Sequence, residues 1–237
     1  MSIYLNNVVK KYEPSFELKI RNLNFDEGKI YGIVGNNGVG KTTLLKSVLD
    51  LIKLDEGDVF INNIQVNKYD GWKKITSAYL NQSFLIDYLT PFEYFELIGH
   101  FYELKGEKLI NRLNKYSDFL SNELIKKNVK IIRELSDGNK QKVGIVGALI
   151  NEAKYIILDE PHSNLDPKSQ IMLKQLLLEL NKNNGSTIII SSHNLNFISE
   201  ICNRVILLED GKIIKDERVS DTTLNELREY FENQIKE

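Results

Sequence analysis

The stretch "GNNGVGKT", Gly35 to Thr42, fits the spacing G-x-x-x-x-G-K-[ST]. Gly35, Gly38 and Gly40 let the backbone curl around Asn36, Asn37 and Val39, so that successive N–H groups point inward at phosphate oxygens. Lys41 can then reach the outer phosphates, and the Thr42 hydroxyl, ahead of Thr43, can bind Mg²⁺. A second constellation is "YIILDEP". Asp159 ends an apolar strand, where ligands bind in open α/β sheets, and a carboxylate there can hold the Mg²⁺ shell through water. Glu160, one residue on, is expected to face the other way and to polarise an attacking water. A third stretch, "LSDGNKQK", starts a helix with Ser136 as its cap and Asp137 at its positive end. Whether Ser136 and Gly138 serve only that helix or also meet an anion is open at this point.

Elements must bring these groups together. "KIYGIVG" predicts a buried strand running through the glycine loop into the helix "KTTLLKSVLDLI", whose N-terminus adds positive charge. "SIYLNNVVKKY", "FELKIRNLNF" and "GDVFINNIQV" alternate and are broken by turn signals, which predicts short strands. "KYIILDEP" and "STIIISSH" are continuous apolar runs, expected of parallel strands buried on both faces, with a helix from Pro167 to Asn181 between them. Asp166 is a good cap for that helix, with proline following at its first position. Pro91 to Lys127 reads as helical, "RVILLEDGKIIKDE" as a hairpin, and the tail from about Thr222 as an amphipathic helix. Gly144 and Gly147 lie inside a helix at a cost of about 1 kcal/mol each, which points to close packing.

The 237-residue chain is 42% hydrophobic and 27% charged, an ordinary globular composition. A net charge of −2 with interspersed signs disfavours a nucleic-acid partner. Cys202 stands alone, so no disulfide framework is possible and a reducing cytosol is expected. The start carries no signal-peptide apolar core, and no run is apolar enough to span a bilayer.

Taken together, the motifs resemble those of ABC-type ATPases, the nucleotide-binding subunits of ABC transporters. "GNNGVGKTT" resembles the Walker A loop, "YIILDEP" the Walker B strand, "AYLNQ" the Q-loop, "SNLD" the D-loop and "SSH" the switch histidine. The resemblance implies a P-loop NTPase α/β core of mostly parallel sheet, with an N-terminal antiparallel β part and an inserted α-helical part. It divides the chain at about 1–82 and 153–220 for the core, 83–152 for the helical part and 221–237 for a terminal helix. It makes Gln82 a Mg²⁺ and water contact and a hinge, and His193 a γ-phosphate contact. Tyr12 would stack on adenine, with Phe16 as the alternative. "LSDGNKQK" resembles the signature L-S-G-G-Q, so Ser136 and Gly138, with Asp166 of the D-loop, would reach ATP held by a second, head-to-tail chain.

Asp137 departs from the signature. A carboxylate about 6 Å from a phosphate charge would cost about 3 kcal/mol at an effective dielectric constant of about 20. The helix dipole returns only about 0.3–1 kcal/mol. Its side chain is therefore expected to point away from the nucleotide. Asn139 is a second departure.

The resemblance implies Mg-ATP hydrolysis coupled to membrane permease subunits, on the inner face of the cell membrane. Phe84, Tyr88, Phe92, Tyr94, Phe95, Phe101 and Tyr102 fall in one short region. Most are expected in the core, some in a groove for a permease helix. That region is similar to the one in ABC-2-type exporters, which favours export. The competing reading is a soluble ABC ATPase, such as an iron–sulfur assembly scaffold.

Overall fold

Alternation and apolar runs sort the strands into two sheets. The computed structural model describes residues 3–12, 16–121, 124–125 and 130–234. Strands β1 (Ile3–Tyr12), β2 (Phe16–Phe25), β4 (Glu56–Ile61) and β5 (Ile64–Gln65) form an antiparallel sheet in the order β2-β1-β4-β5. The Asn62-Asn63 turn between the last two has both residues at positive φ, as a tight hairpin requires.

The second sheet holds β3 (Ile30–Val34), β6 (Thr76–Tyr79), β7 (Tyr155–Asp159), β8 (Thr187–Ser192), β9 (Arg204–Glu209) and β10 (Lys212–Arg218). Its order is β10-β9-β3-β8-β7-β6, parallel throughout except for the antiparallel edge strand β10. The Asp210-Gly211 turn makes that edge a hairpin, as its sequence predicts.

Continuous apolar runs put side chains on both faces. Tyr31, Ile33, Ile157 and Ile189 pack with the antiparallel sheet and with Leu44, Leu45 and Val48 of α1 (Lys41–Val48). Val34, Ile156, Leu158 and Ile190 face the opposite core, built with the other helices. These are α2 (Pro91–Phe101), α3 (Glu107–Asn114), α4 (Ser117–Leu120), α5 (Asp137–Leu149), α6 (Pro167–Asn184), α7 (Leu195–Ile201) and α8 (Thr223–Gln234). The fold is the P-loop α/β architecture with an antiparallel β part that the motifs imply.

Boundaries differ in places. Helix α1 stops at Val48 instead of Ile52, because Asp50 adopts a left-handed φ of 52°. Strand β6 and helix α7 carry no strong period of their own and were not expected. The first is a short edge strand fixed by pairing with β7, the second a two-turn helix capped by Asn194. Ser2, Lys126, Lys127 and the last residues of the expected terminal helix lie outside the described residues.

The two helix glycines have the packing role expected of them. A Cβ on Gly144 would lie 2.0 Å from Tyr79 Cε2, and one on Gly147 would lie 2.7 Å from Tyr94 Cε1. Gly144→Ala is therefore expected to destabilise the protein by about 1–3 kcal/mol through overpacking, although alanine is the better helix former. Thermal unfolding reads this as a fall of about 2–10 °C. An unchanged or raised midpoint would show that the ring yields freely.

Candidate functional site

The register Val34↔Ser192 and Asp159↔Ser191 brings the C-terminal ends of β3, β8 and β7 side by side. Loops leaving one sheet edge can therefore share one ligand. The glycine loop leaves β3 there and enters α1 at Gly40, whose φ of 107° and contact with Phe16 exclude a side chain. Asn36, Asn37 and Gly38 form an exposed rim, while Val39 accepts a hydrogen bond from Gly211 through its carbonyl. Lys41 is buried. Its ammonium donates to the carbonyls of Gly35 (2.7 Å) and Asn36 (3.1 Å) and lies 3.4 Å from Glu160 Oε1. Thr43, on the first turn of α1, accepts from Ser47.

Thr42 Oγ1 donates to Asp159 Oδ2 at 2.5 Å, and Ser191 Oγ donates to the other carboxylate oxygen. Burial, reinforced by the Glu160 charge, pushes the Asp159 carboxyl above its ordinary range. A hydroxyl and a carboxylate in contact, with a buried charge favouring neutralisation, fit a hard oxygen-seeking cation such as Mg²⁺.

Strand alternation would send Glu160 to the opposite face, and the structure corrects that expectation. Glu160 has a left-handed φ of 46°, and its N–H donates to Ser191. This turn carries its carboxylate into the site, where Oε1 faces Lys41 and Oε2 lies 2.9 Å from His193 Nδ1.

His162 belongs to this group and was missed in the sequence. Its ring is 4% exposed, stacked on Phe197 at 4.9 Å, with Nε2 3.7 Å from Glu160 Oε2 and 3.4 Å from Ser192 Oγ. Burial pulls its pKa down to about 4, outweighing the attraction of Glu160. The imidazole is thus neutral when folded but protonates near pH 6.5 when unfolded. Its contribution is whole above pH 6.5 and is lost as pH falls toward 4, by about 2–3 kcal/mol. Urea unfolding across that range should show a shallower loss in His162→Leu than in the parent. Parallel curves would refute the assignment.

Gln141 was also missed. It is buried, accepts from Tyr79 Oη (2.8 Å), and donates to the carbonyls of Glu160 and Pro161 (3.2 Å each). Its sequence signal was its place in "LSDGNKQK", where it was given no role of its own. It ties α5 to the end of β7.

Gln82 donates to the Asp137 carbonyl at 3.0 Å, which places it at the link to α5. Ser136 caps α5 by accepting from the Asn139 N–H. Gly138 packs so closely on the carbonyl of Asn164 that a Cβ would lie 2.8 Å away. The Asp137 side chain is 71% exposed, 3.9 Å from Lys140. Asp166 caps α6, accepting from the Ser169 N–H at 3.0 Å. Tyr12 is exposed, with its ring 6.4 Å from that of Phe16. The structure brings Lys41, Thr42, Asp159, Glu160 and His193 together. Ser136, Gly138 and Asp166 lie elsewhere, on the starts of α5 and α6 and the loop between β7 and α6.

The seven aromatics divide. Phe92, Tyr94 and Phe95 are buried, Tyr102 is half-buried, and Phe84, Tyr88 and Phe101 are exposed. Among the described residues no helix is long and apolar enough to cross a membrane.

The ABC transporter family profile matches residues 18–163. The bacitracin transport ATP-binding protein BcrA of Enterococcus faecalis is 31% identical over 221 residues, covering 92% of this chain and 70% of that protein. The methionine import ATP-binding protein MetN of Carboxydothermus hydrogenoformans is 29% identical over 209 residues, covering 86% of this chain. This chain spans 61% of that importer's length. A dimeric post-hydrolysis structure of the ATP-binding cassette MJ0796, bound to ADP and phosphate, superposes with a TM-score of 0.80. It is 30% identical, with 92% of this chain and 99% of that one covered. A phosphate loop, a carboxylate pair and a histidine converging on one sheet edge, in a chain with these relatives, place the protein in the ABC transporter family as an ABC ATPase.

Proposed function

We propose that the chain binds Mg-ATP and hydrolyses it as the motor subunit of a membrane exporter, two such chains closing head to tail on the nucleotides. The observation that carries this reading is the convergence of Lys41, Glu160 and His193 beside the Thr42–Asp159 pair. Lys41 sits where it can exchange its two loop carbonyls for phosphate oxygens. Thr42 and Asp159 would hold Mg²⁺, which when bound offsets phosphate charge. Glu160 orients the attacking water and accepts its proton, and its contact with His193 fixes the carboxylate in the site. His193 then turns to the γ-phosphate. Ser136 and the Gly138 N–H, with Asp166, face the nucleotide of the second chain, while Tyr12 or Phe16 stacks on adenine.

Gln141 joins the site to α5, and Gln82 bonds the first residue of that helix. Nucleotide-driven shifts can therefore pass toward a cavity of about 350 Å³ lined by Leu51, Trp72, Phe84, Tyr94 and Tyr102. The exposed Phe84 and Leu51 at its edge suit the docking of a short permease helix on the inner face of the membrane. Export is favoured by the likeness of the Tyr88–Leu104 region to ABC-2-type exporters.

Affinity purification from detergent-solubilised membranes tests the reading. A polytopic membrane protein is expected in stoichiometric amount, and Phe84→Asp should release it while Mg-ATP binding persists. Stable association with cytosolic proteins alone would favour the soluble-scaffold alternative.

A further inference from the structure

Three donors on two neighbouring loops point at one another. Glu160 Oε2 lies 2.9 Å from His193 Nδ1 and 3.7 Å from His162 Nε2, and the three atoms lie within 4.8 Å of one another. With two sides of 2.9 and 3.7 Å and a third of at most 4.8 Å, a point exists no more than about 2.4 Å from each corner. Carboxylate and imidazole bonds to Zn²⁺ are about 2.0–2.2 Å long, so shifts of no more than about 0.4 Å complete the site. We infer that Glu160, His162 and His193 form a binding site for a transition-metal dication of the zinc type in the nucleotide-free chain.

Donor chemistry separates this site from the Thr42–Asp159 pair. Two imidazoles and one carboxylate oxygen suit Zn²⁺ or Co²⁺, whereas a hydroxyl and a carboxylate suit Mg²⁺. The site is also preorganised. The His162 ring is held by burial and by stacking on Phe197. The Glu160 carboxylate divides its work, Oε1 facing the Lys41 ammonium and Oε2 facing the histidines. Lys41 therefore lowers the affinity for a dication without occupying the donor. His193 is 58% exposed, which leaves a fourth position open to water.

A consequence rests on the proposed ATPase reading. Glu160 and His193 cannot serve a cation and a γ-phosphate together, so zinc and Mg-ATP exclude each other and zinc inhibits turnover.

The test is a Co²⁺ titration of the chelator-treated, nucleotide-free full chain, read by visible absorption. A strong four-coordinate spectrum saturating at one equivalent is expected, displaced by Zn²⁺ and untouched by excess Mg²⁺. His162→Ala and His162→Asn, shown folded by circular dichroism, should weaken cobalt binding on the order of 100-fold. No spectrum, or one indifferent to both variants, overturns the site. Mg-ATP should bleach the spectrum. If the spectrum persists with nucleotide bound, the mutual exclusion fails while the site stands; failure to bind nucleotide at all would instead count against the ATPase reading.

Discussion

Glu160→Gln is expected to lower steady-state ATP turnover by about 10²–10⁴-fold while leaving nucleotide binding intact. The left-handed backbone that aims this side chain is held by Ser191, through two bonds to the Glu160 N–H, and neither depends on the side chain. The glutamine therefore occupies the same position with nearly the same volume. What it loses is the charge that attracts Lys41 and the lone pair that takes a proton from water. The phosphate loop, Thr42 and Asp159 keep their places. Removing an anion beside the phosphates also removes a repulsion, so ATP should be held as tightly or more so. If two chains close on the nucleotides, the variant should accumulate as an ATP-dependent dimer, visible by light scattering on a sizing column. Phosphate release near the parent rate would refute the role given to Glu160.

The parts of this site that were legible are those whose chemistry is local. The loop from Gly35 to Thr42 announces itself because glycine spacing, lysine and hydroxyl all act within one turn of chain. Asp159 was legible because an apolar run must end somewhere, and in parallel sheets that end faces ligands. Ser136 and Asp166 were legible as helix caps for the same local reason, and both cap their helices in the structure. Glu160 was misplaced because alternation assumes that the strand continues, whereas Ser191 on the neighbouring strand bends it at that residue. His162 and Gln141 escaped because their meaning is long-range. One depends on Phe197 and His193, some thirty residues on, and the other on Tyr79 and the end of β7. The fold followed the same division. Strands with strong alternation or long apolar runs were recognised, and β6 was not, because its polar Thr76 and Ser77 are buried only by their neighbours. The aromatic segment could not be divided into core and surface by spacing alone, since both faces of α2 carry rings.

Lys41→Met is expected to abolish Mg-ATP retention, with affinity falling by up to about a thousandfold. A unit charge about 4 Å from a phosphate oxygen is worth about 4 kcal/mol at an effective dielectric constant of about 20. The methionine keeps an unbranched stem of similar length, so packing beside the loop changes little and the charge is what is lost. Two opposing effects act on the folded chain. The carbonyls of Gly35 and Asn36 lose a donor, and Glu160 loses its cation, which loosens the loop. Against this, burying an ammonium at 7% exposure is itself costly, and methionine relieves that cost. Net stability should therefore move little, within about 1 kcal/mol, while binding collapses. Equilibrium binding of a fluorescent ATP analogue, measured beside urea unfolding of the same samples, separates the two effects. A variant that unfolds early would blame the loop, and one that folds normally and still retains Mg-ATP would remove Lys41 from the site. The Glu160 substitution makes the contrast sharper. Deleting the anion of the Lys41–Glu160 pair should preserve binding and stop turnover, whereas deleting the cation should stop both, an asymmetry that a purely structural ion pair would not produce.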